Sequence, residues 1–284
     1  FSAGKLEATA GILGYPDGEP RYVAYTDTDG NWELEDGTVW TSGTVAGLMW
    51  LIYEARGGLE WRQRGEFFTE GLDGLEYEDD QDLRFQFLLS FGKGYDLRPG
   101  FFAKYRYRCI RAARNLADLR YADDIGAFVA WDSASRRPEW ERAVNIESSS
   151  VVVSSAVLGP EAAVAKNAPN FHQRVSWRDL VMKSDYSTYH VGSYDDNGDL
   201  EETGTCQGWQ DDSTWSRGQA WAFYGWAMFY RYYPNAGHFL RRAIWTLGYF
   251  MDNLPWNNVA FTDFDAPRDS DNPRDTSRTS TPSS

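Results

Sequence analysis

Apolar residues in this chain recur at three- and four-residue spacing, segment after segment, and glycine or proline punctuates the stripes. That rhythm is the period of a helix. Residues 41–56 predict one: Thr41 or Ser42 starts it, Leu48, Leu51 and Ile52 share an apolar face, and Gly57-Gly58 stops it. A second is expected over 59–71. A third, over 80–92, uses Leu83, Phe87 and Leu88 and ends at Gly92. Pro99 is expected to open a helix running to Arg120, with Tyr105, Cys109, Ala112 and Leu116 on one stripe. The strongest patterns are 213–233 and 236–253. Against these, "GAFVAW" (126–131) and "STYHVGSY" (187–194) read as short extended pieces on loops. There is no alternating strand pattern and no exact short repeat, so the expected fold class is all-α.

A chain of 284 residues with 42% hydrophobic content can bury a sizeable core. Its net charge of −14 argues against nucleic acid and anionic membranes as partners. Two cysteines, Cys109 and Cys206, are too few for a disulfide framework; they read as free thiols, with a single bridge as the alternative. Neither a bilayer-length apolar run nor an Asn-x-Ser/Thr sequon occurs; the chain opens on Phe1 rather than Met and shows no basic-then-apolar leader, so its start reads as processed or as that of a fragment. The three histidines are scattered and no Cys-x-x-Cys is present, so neither a metal nor a cofactor is expected. The 13 Trp residues exceed what packing alone uses, and indoles stack well on the C–H faces of sugar rings.

"DDSTWSRGQAWAFYGWAMFYRYY" (211–233) concentrates that aromatic surplus. Trp215 and Gln219 lie one turn apart, as do Arg217 and Trp221. The helix start thus presents two indoles, a guanidinium and an amide. Arg can grip a carboxylate with paired hydrogen bonds, and indoles can wall a ring. Gly218 inside the helix suggests close approach of another group. The alternative is an amphipathic helix whose Arg217 pairs with Asp211 or Asp212. Phe223, Phe229 and Tyr230 read as core. Five of the seven residues from Glu76 to Asp82 are acids ahead of an apolar run, which by composition is a solvated helix start. Glu147, in "VNIESSS", is either solvated or a carboxyl desolvated by Val and Ile. His190 stands alone as a polar candidate. The segment 146–159 is poor in helix formers, and 267–284 is polar enough to be a disordered tail after one domain, 1–266.

Five blocks, taken in order, resemble the unsaturated glucuronyl hydrolases of glycoside hydrolase family 88. They are "VWTSGTVAGLMWLIYEARGGLEW", "DQDLRFQFLLSFGKGY", "STYHVGSYDDNGDL", "QGWQDDSTWSRGQAWAFYGWA" and "FDAPRDSDNPRDTS". The likeness spans residues 30–277. It implies an (α/α)6 toroid, here incomplete at the C-terminus and clipped at the N-terminus. It implies as substrate an oligosaccharide ending in a 4,5-unsaturated uronic acid. In that family a carboxylic acid protonates C4, water adds at C5, and the hemiketal opens to release the sugar.

By the same resemblance Asp82 falls on the auxiliary aspartate, and Trp40, His190, Gln207, Trp215, Arg217 and Trp221 fall on pocket positions. Glu147 falls on the principal acid, where the family carries Asp, and Arg84 stands where Gly is frequent. A related family, the unsaturated rhamnogalacturonyl hydrolases, carries Gly-Asn where this chain has Gly218-Gln219. The readings kept open are the hydrolase, a sugar-binding homologue with impaired chemistry, and the rhamnogalacturonyl enzyme. The likeness and the lack of sequon and leader in this chain favour the cytoplasm.

Overall fold

Trp50 shows how the first part of the chain is built. A computed structural model describes residues 3–146 and 182–275, apart from 28, 101, 131–139, 141, 233 and 270–271. In it the Trp50 ring is fully buried, and its indole N–H donates to Thr69 Oγ1 at 2.9 Å. Trp50 lies on α2 (Ser42–Arg56) and Thr69 on α3 (Leu59–Glu70). Between the two helices, Gly57 and Gly58 take φ of 70° and 93°, the left-handed conformation that glycine adopts without steric cost. Gly65 lets the helices close: a Cβ there would lie 2.7 Å from the Trp50 ring.

The buried face of α2 carries Val45, Ala46, Met49 and Trp50. This corrects the predicted stripe, because Leu51 is 49% exposed and Leu48 and Ile52 are only partly buried. Large aliphatic residues drew the sequence reading to the wrong side; the small residues Gly43, Ala46 and Gly47 permit the close contact instead.

The chain forms two compact units. Among the described residues the first runs from Ala3 to Leu116. It holds α1 (Ala3–Ile12), the antiparallel hairpin β1 (Tyr22–Thr26) and β2 (Trp32–Glu35), α2 and α3. Then come α4 (Leu83–Phe87), a π turn over Leu88–Gly92, α5 (Lys93–Leu97) and α6 (Ala103–Arg120). The single helix expected over 80–92 is therefore broken by the π turn, where Ser90 Oγ–H donates to the Gln86 carbonyl. Tyr105, Cys109, Ala112 and Leu116 of α6 are all buried, as the stripe predicted. Helix α6 starts four residues after Pro99 rather than at it. Phe87, Phe91, Phe102 and Tyr105 complete the aromatic core, Phe102 stacking on Tyr105 at 4.7 Å.

The second unit starts at Ala117. It holds the hairpin β3 (Tyr121–Ala122) and β4 (Ala127–Phe128), and the antiparallel sheet β5 (Ala143–Asn145), β6 (Val191–Tyr194) and β7 (Leu200–Gly204). Helices α7 (Ser216–Tyr232) and α8 (Gly237–Asp252) follow and pack on each other. Trp226, Phe229 and Phe239 stack between them, at centroid distances of 5.0 to 6.2 Å.

The fold is helix-rich, with eight α-helices among the described residues, and the all-α expectation is corrected by seven short strands. The strands are two to five residues long, too short for an alternating pattern to show. No described helix is long and apolar enough to cross a membrane.

The polar stretch from 267, expected to be disordered, is anchored over 272–275. Asn272 is 4% exposed; its Nδ2 donates to the Asp263 and Ala266 carbonyls, and its Oδ1 accepts the Asp263 N–H. Polarity there serves buried hydrogen bonds rather than solvation. Residues 276–284 lie outside the described residues.

Candidate functional site

Four of the predicted site residues meet in the second unit. The loop 205–215 carries Gln207 and Trp215, His190 directly precedes β6, Arg217 lies in the first turn of α7, and Asp263 holds the loop. Its Oδ2 accepts the Trp209 N–H at 2.9 Å and the Ser213 hydroxyl at 2.6 Å, and the carboxylate is 2% exposed. Asp265 Oδ2 takes the Thr214 N–H at 2.7 Å. Backbone pairing of Trp215 with Asp263 continues the seam, through Ser216 N–H to Thr262 O and Phe264 N–H to Thr214 O. Helix α7 therefore starts from a fixed base.

On that base Arg217 lies with its guanidinium carbon 4.7 Å from the centroid of the Trp215 ring. One Nη donates to Gln207 Oε1 at 2.8 Å, and the other lies 3.4 Å from Asp275 Oδ2. Arg217 keeps 12% of its side chain exposed and Asp275 7%. The partner predicted for Arg217 was Asp211 or Asp212. Asp211 instead accepts the Thr205 N–H at 2.9 Å, and Asp275 pairs with Arg217. The acid-rich stretch 263–277 carried no signal that singled out Asp275 or Asp263.

His190 stacks on the same indole as Arg217. Its ring is 4.4 Å from that of Trp215, inclined by 28°. Thr205 Oγ1 takes the Gly208 N–H at 2.7 Å and lies 2.9 Å from His190 Nδ1. The Cys206 N–H also points at Nδ1, at 3.3 Å. A backbone N–H can only donate, so Nδ1 accepts and the ring proton sits on Nε2. Nε2 lies 3.5 Å from the free thiol of Cys206. Sequence reasoning gave Cys206 no role beyond being free.

The Trp215 indole N–H is buried and has no hydrogen-bond partner among the described residues. A buried donor left unpaired costs about 1–3 kcal/mol, which makes it an open donor for a ligand oxygen. Gly218 permits close approach, as expected: a Cβ there would be 2.8 Å from the Trp215 ring and 3.0 Å from Ile146 Cγ2. Ile146 is in turn held by its N–H to the His190 carbonyl at 2.9 Å. The next residue, Glu147, lies outside the described residues.

Two predicted neighbours fall differently. Gln219 is fully buried and structural, its Nε2 donating to the carbonyls of Tyr186 and Thr246 at 2.9 Å each. Its amide is thus not presented at the helix start. Trp221 lies one turn beyond Arg217, its ring edge-on to Tyr224 at 6.1 Å. Phe229 is buried as core, and Phe223 packs edge-on against Phe250.

In the first unit, Asp82 caps the start of α4. Its backbone carbonyl accepts the N–H groups of Phe85 and Gln86, and its Oδ1 lies 3.9 Å from an Arg84 Nη. Arg84 is 3% exposed and sits over the Phe85 ring. Trp40 meets the same ring edge-on at 6.4 Å. The acid run before Asp82 is not uniformly solvated: Glu76 is fully buried, accepting the Gly74 N–H at 2.9 Å and pairing with Arg108.

No model of a protein family matches the chain. Individual proteins do. An unsaturated glucuronyl hydrolase of Bacillus sp. (strain GL1) is 30% identical over 270 residues, covering 90% of this chain and 68% of that protein. The chain belongs to the unsaturated glucuronyl hydrolase family. The unsaturated glucuronyl hydrolase of Formosa agariphila is 32% identical over 246 residues, 84% of this chain. This chain spans 60% of that relative's length. An unsaturated chondroitin disaccharide hydrolase of Streptococcus pyogenes is 26% identical over 88% of the chain.

Among solved structures, an unsaturated glucuronyl hydrolase specific for heparin superposes with a TM-score of 0.81 at 26% identity. It covers 95% of this chain and 73% of its own. The Bacillus sp. GL1 unsaturated glucuronyl hydrolase gives 0.79 at 30% identity, covering 95% of this chain and 71% of its own.

Proposed function

We propose that this protein is a glycosidase acting on oligosaccharides that end in a 4,5-unsaturated uronic acid, and that it hydrates the ring double bond. One observation carries the reading: a single guanidinium, Arg217, lies over the Trp215 ring beside Gln207, with the unpaired Trp215 N–H and His190 alongside. That is a donor set for a carboxylate on a flat ring. The substrate carboxylate shares Arg217 with Asp275 or displaces it. Family membership and the chondroitin-disaccharide and heparin specificities of the relatives support the substrate class.

In this reading Trp215 and Trp221 wall the ring, and Glu147 delivers the proton to C4 and helps water add at C5. The resulting hemiketal opens and the remaining sugar leaves. Asp82 is the auxiliary carboxylate. The same reading places the helices in an (α/α)6 toroid. The outer stripe of α8 supports it: Leu240, Ile244, Leu247 and Met251 are 38–56% exposed, an apolar face of the sort another helix covers.

The test is the loss of ultraviolet absorbance from the conjugated double bond. Unsaturated chondroitin, hyaluronan and heparin disaccharides are incubated with the folded chain between about pH 4 and 8, the range in which a carboxyl acid and base operate. At least one is consumed. No loss for any of them removes the activity.

A further inference from the structure

A second cavity lies in the same unit, on side chains that the uronate reading does not use. Its volume is about 320 Å³, at the lower end of small-molecule sites, and its lining includes Lys183, Asp185, Trp209, Asp212, Tyr249 and Asp265. These groups are fixed in place. Asp185 Oδ1 holds the Ser187 N–H at 3.0 Å and its hydroxyl at 2.6 Å, and Asp265 Oδ2 holds the Thr214 N–H. The second oxygen of each carboxylate therefore remains an open acceptor. Lys183 Nζ is tied to the Asp212 carbonyl and, at 3.3 Å, to Thr214 Oγ1. The backbone of Trp209 is locked by Asp263, while 50% of the residue stays exposed.

Three carboxylates and one ammonium give this lining an acidic balance, the reverse of what a uronate needs. Open carboxylate oxygens accept hydroxyl protons, a tethered ammonium donates, and an exposed indole on a fixed backbone stacks on C–H bonds. A metal fits poorly, since no group of three or more His, Cys, Asp or Glu among the described residues is arranged to hold one. We infer that this cavity is a second carbohydrate site that takes an uncharged pyranose, with Trp209 as the stacking platform and Asp185 and Asp265 as hydroxyl acceptors. It shares no lining residue with the Arg217 cluster, so it stands or falls independently of the uronate reading.

Methyl β-D-glucopyranoside and methyl β-D-galactopyranoside are the probes, titrated against the full chain by saturation-transfer NMR, with D-glucuronate as the anionic control. At least one neutral probe binds saturably, and glucuronate does not displace it. Trp209→Ala weakens that binding tenfold or more, Trp209→Phe keeps most of it, and Arg217→Ala leaves it unchanged, each variant first matched to the parent by circular dichroism. No saturable binding of either neutral probe overturns the site. So does binding that survives Trp209→Ala, or that disappears with Arg217→Ala or under glucuronate.

Discussion

Arg217 is held by stacking on Trp215 and by hydrogen bonding to Gln207, so its truncation removes a charge that is already positioned. Hydrogen bonds to charged groups contribute about 1.5–3 kcal/mol, roughly ten- to a hundredfold in affinity. Arg217→Ala is expected to weaken an unsaturated disaccharide by that factor and to leave its saturated, uncharged counterpart nearly unchanged. Equal losses for both, measured by calorimetry, would count against a carboxylate grip. The two thiols provide a second residue-level test. Cys109 is 4% exposed and burial pushes its thiol well above the ordinary value, so it is a poor nucleophile. Cys206 is partly exposed and lies beside the His190 N–H. Iodoacetamide on the native protein should alkylate Cys206 first, as read by peptide mass, with the difference vanishing in denaturant.

Glycines decide how closely the elements pack. In α3, a Cβ at Gly65 meets three atoms of the Trp50 ring at 2.7, 2.8 and 3.0 Å, and the ring is pinned by Thr69. In α8, a Cβ at Gly248 meets nothing within 4 Å. Helix propensity favours alanine by about 1 kcal/mol at both places. Overpacking costs about 1–3 kcal/mol at the first alone. Gly65→Ala should therefore lower the denaturant midpoint and Gly248→Ala should raise it; matching shifts would show that packing at Trp50 is not limiting. The same contrast explains what the sequence could reveal. The stripe of α6, the long helices α7 and α8 and the aromatic block 211–233 were legible because they rest on local periodicity. The buried face of α2 was not, because Trp50 fits only where Gly65 faces it, and that pairing is tertiary. The short strands and the π turn at Leu88–Gly92 carry no period of their own. At the site, Trp215, Arg217 and His190 were singled out from the residues themselves and Gln207 through family likeness. Asp263 and Asp275 were not, because a loop acid gains its meaning only from a partner about 50 residues away.

At the scale of the whole molecule, the net charge of −14 repels an anionic substrate, while the local cation that would capture it is mostly buried. Salt screens these two fields unequally. The Debye length falls from about 30 Å at 0.01 M to about 10 Å at 0.1 M, which removes long-range repulsion before it weakens a direct contact. The kcat/KM for an unsaturated disaccharide should therefore rise over that range; a steady fall would mean that attraction dominates at distance. The seam along Asp263 has a consequence in time as well as in space. The loop that carries Gln207 and Trp215 is fastened by residues 262–275, which leave the ribosome only after it. A nascent chain halted before Thr262 lacks every one of those clasps, so the Arg217 cluster sets only after the 262–275 segment has been made.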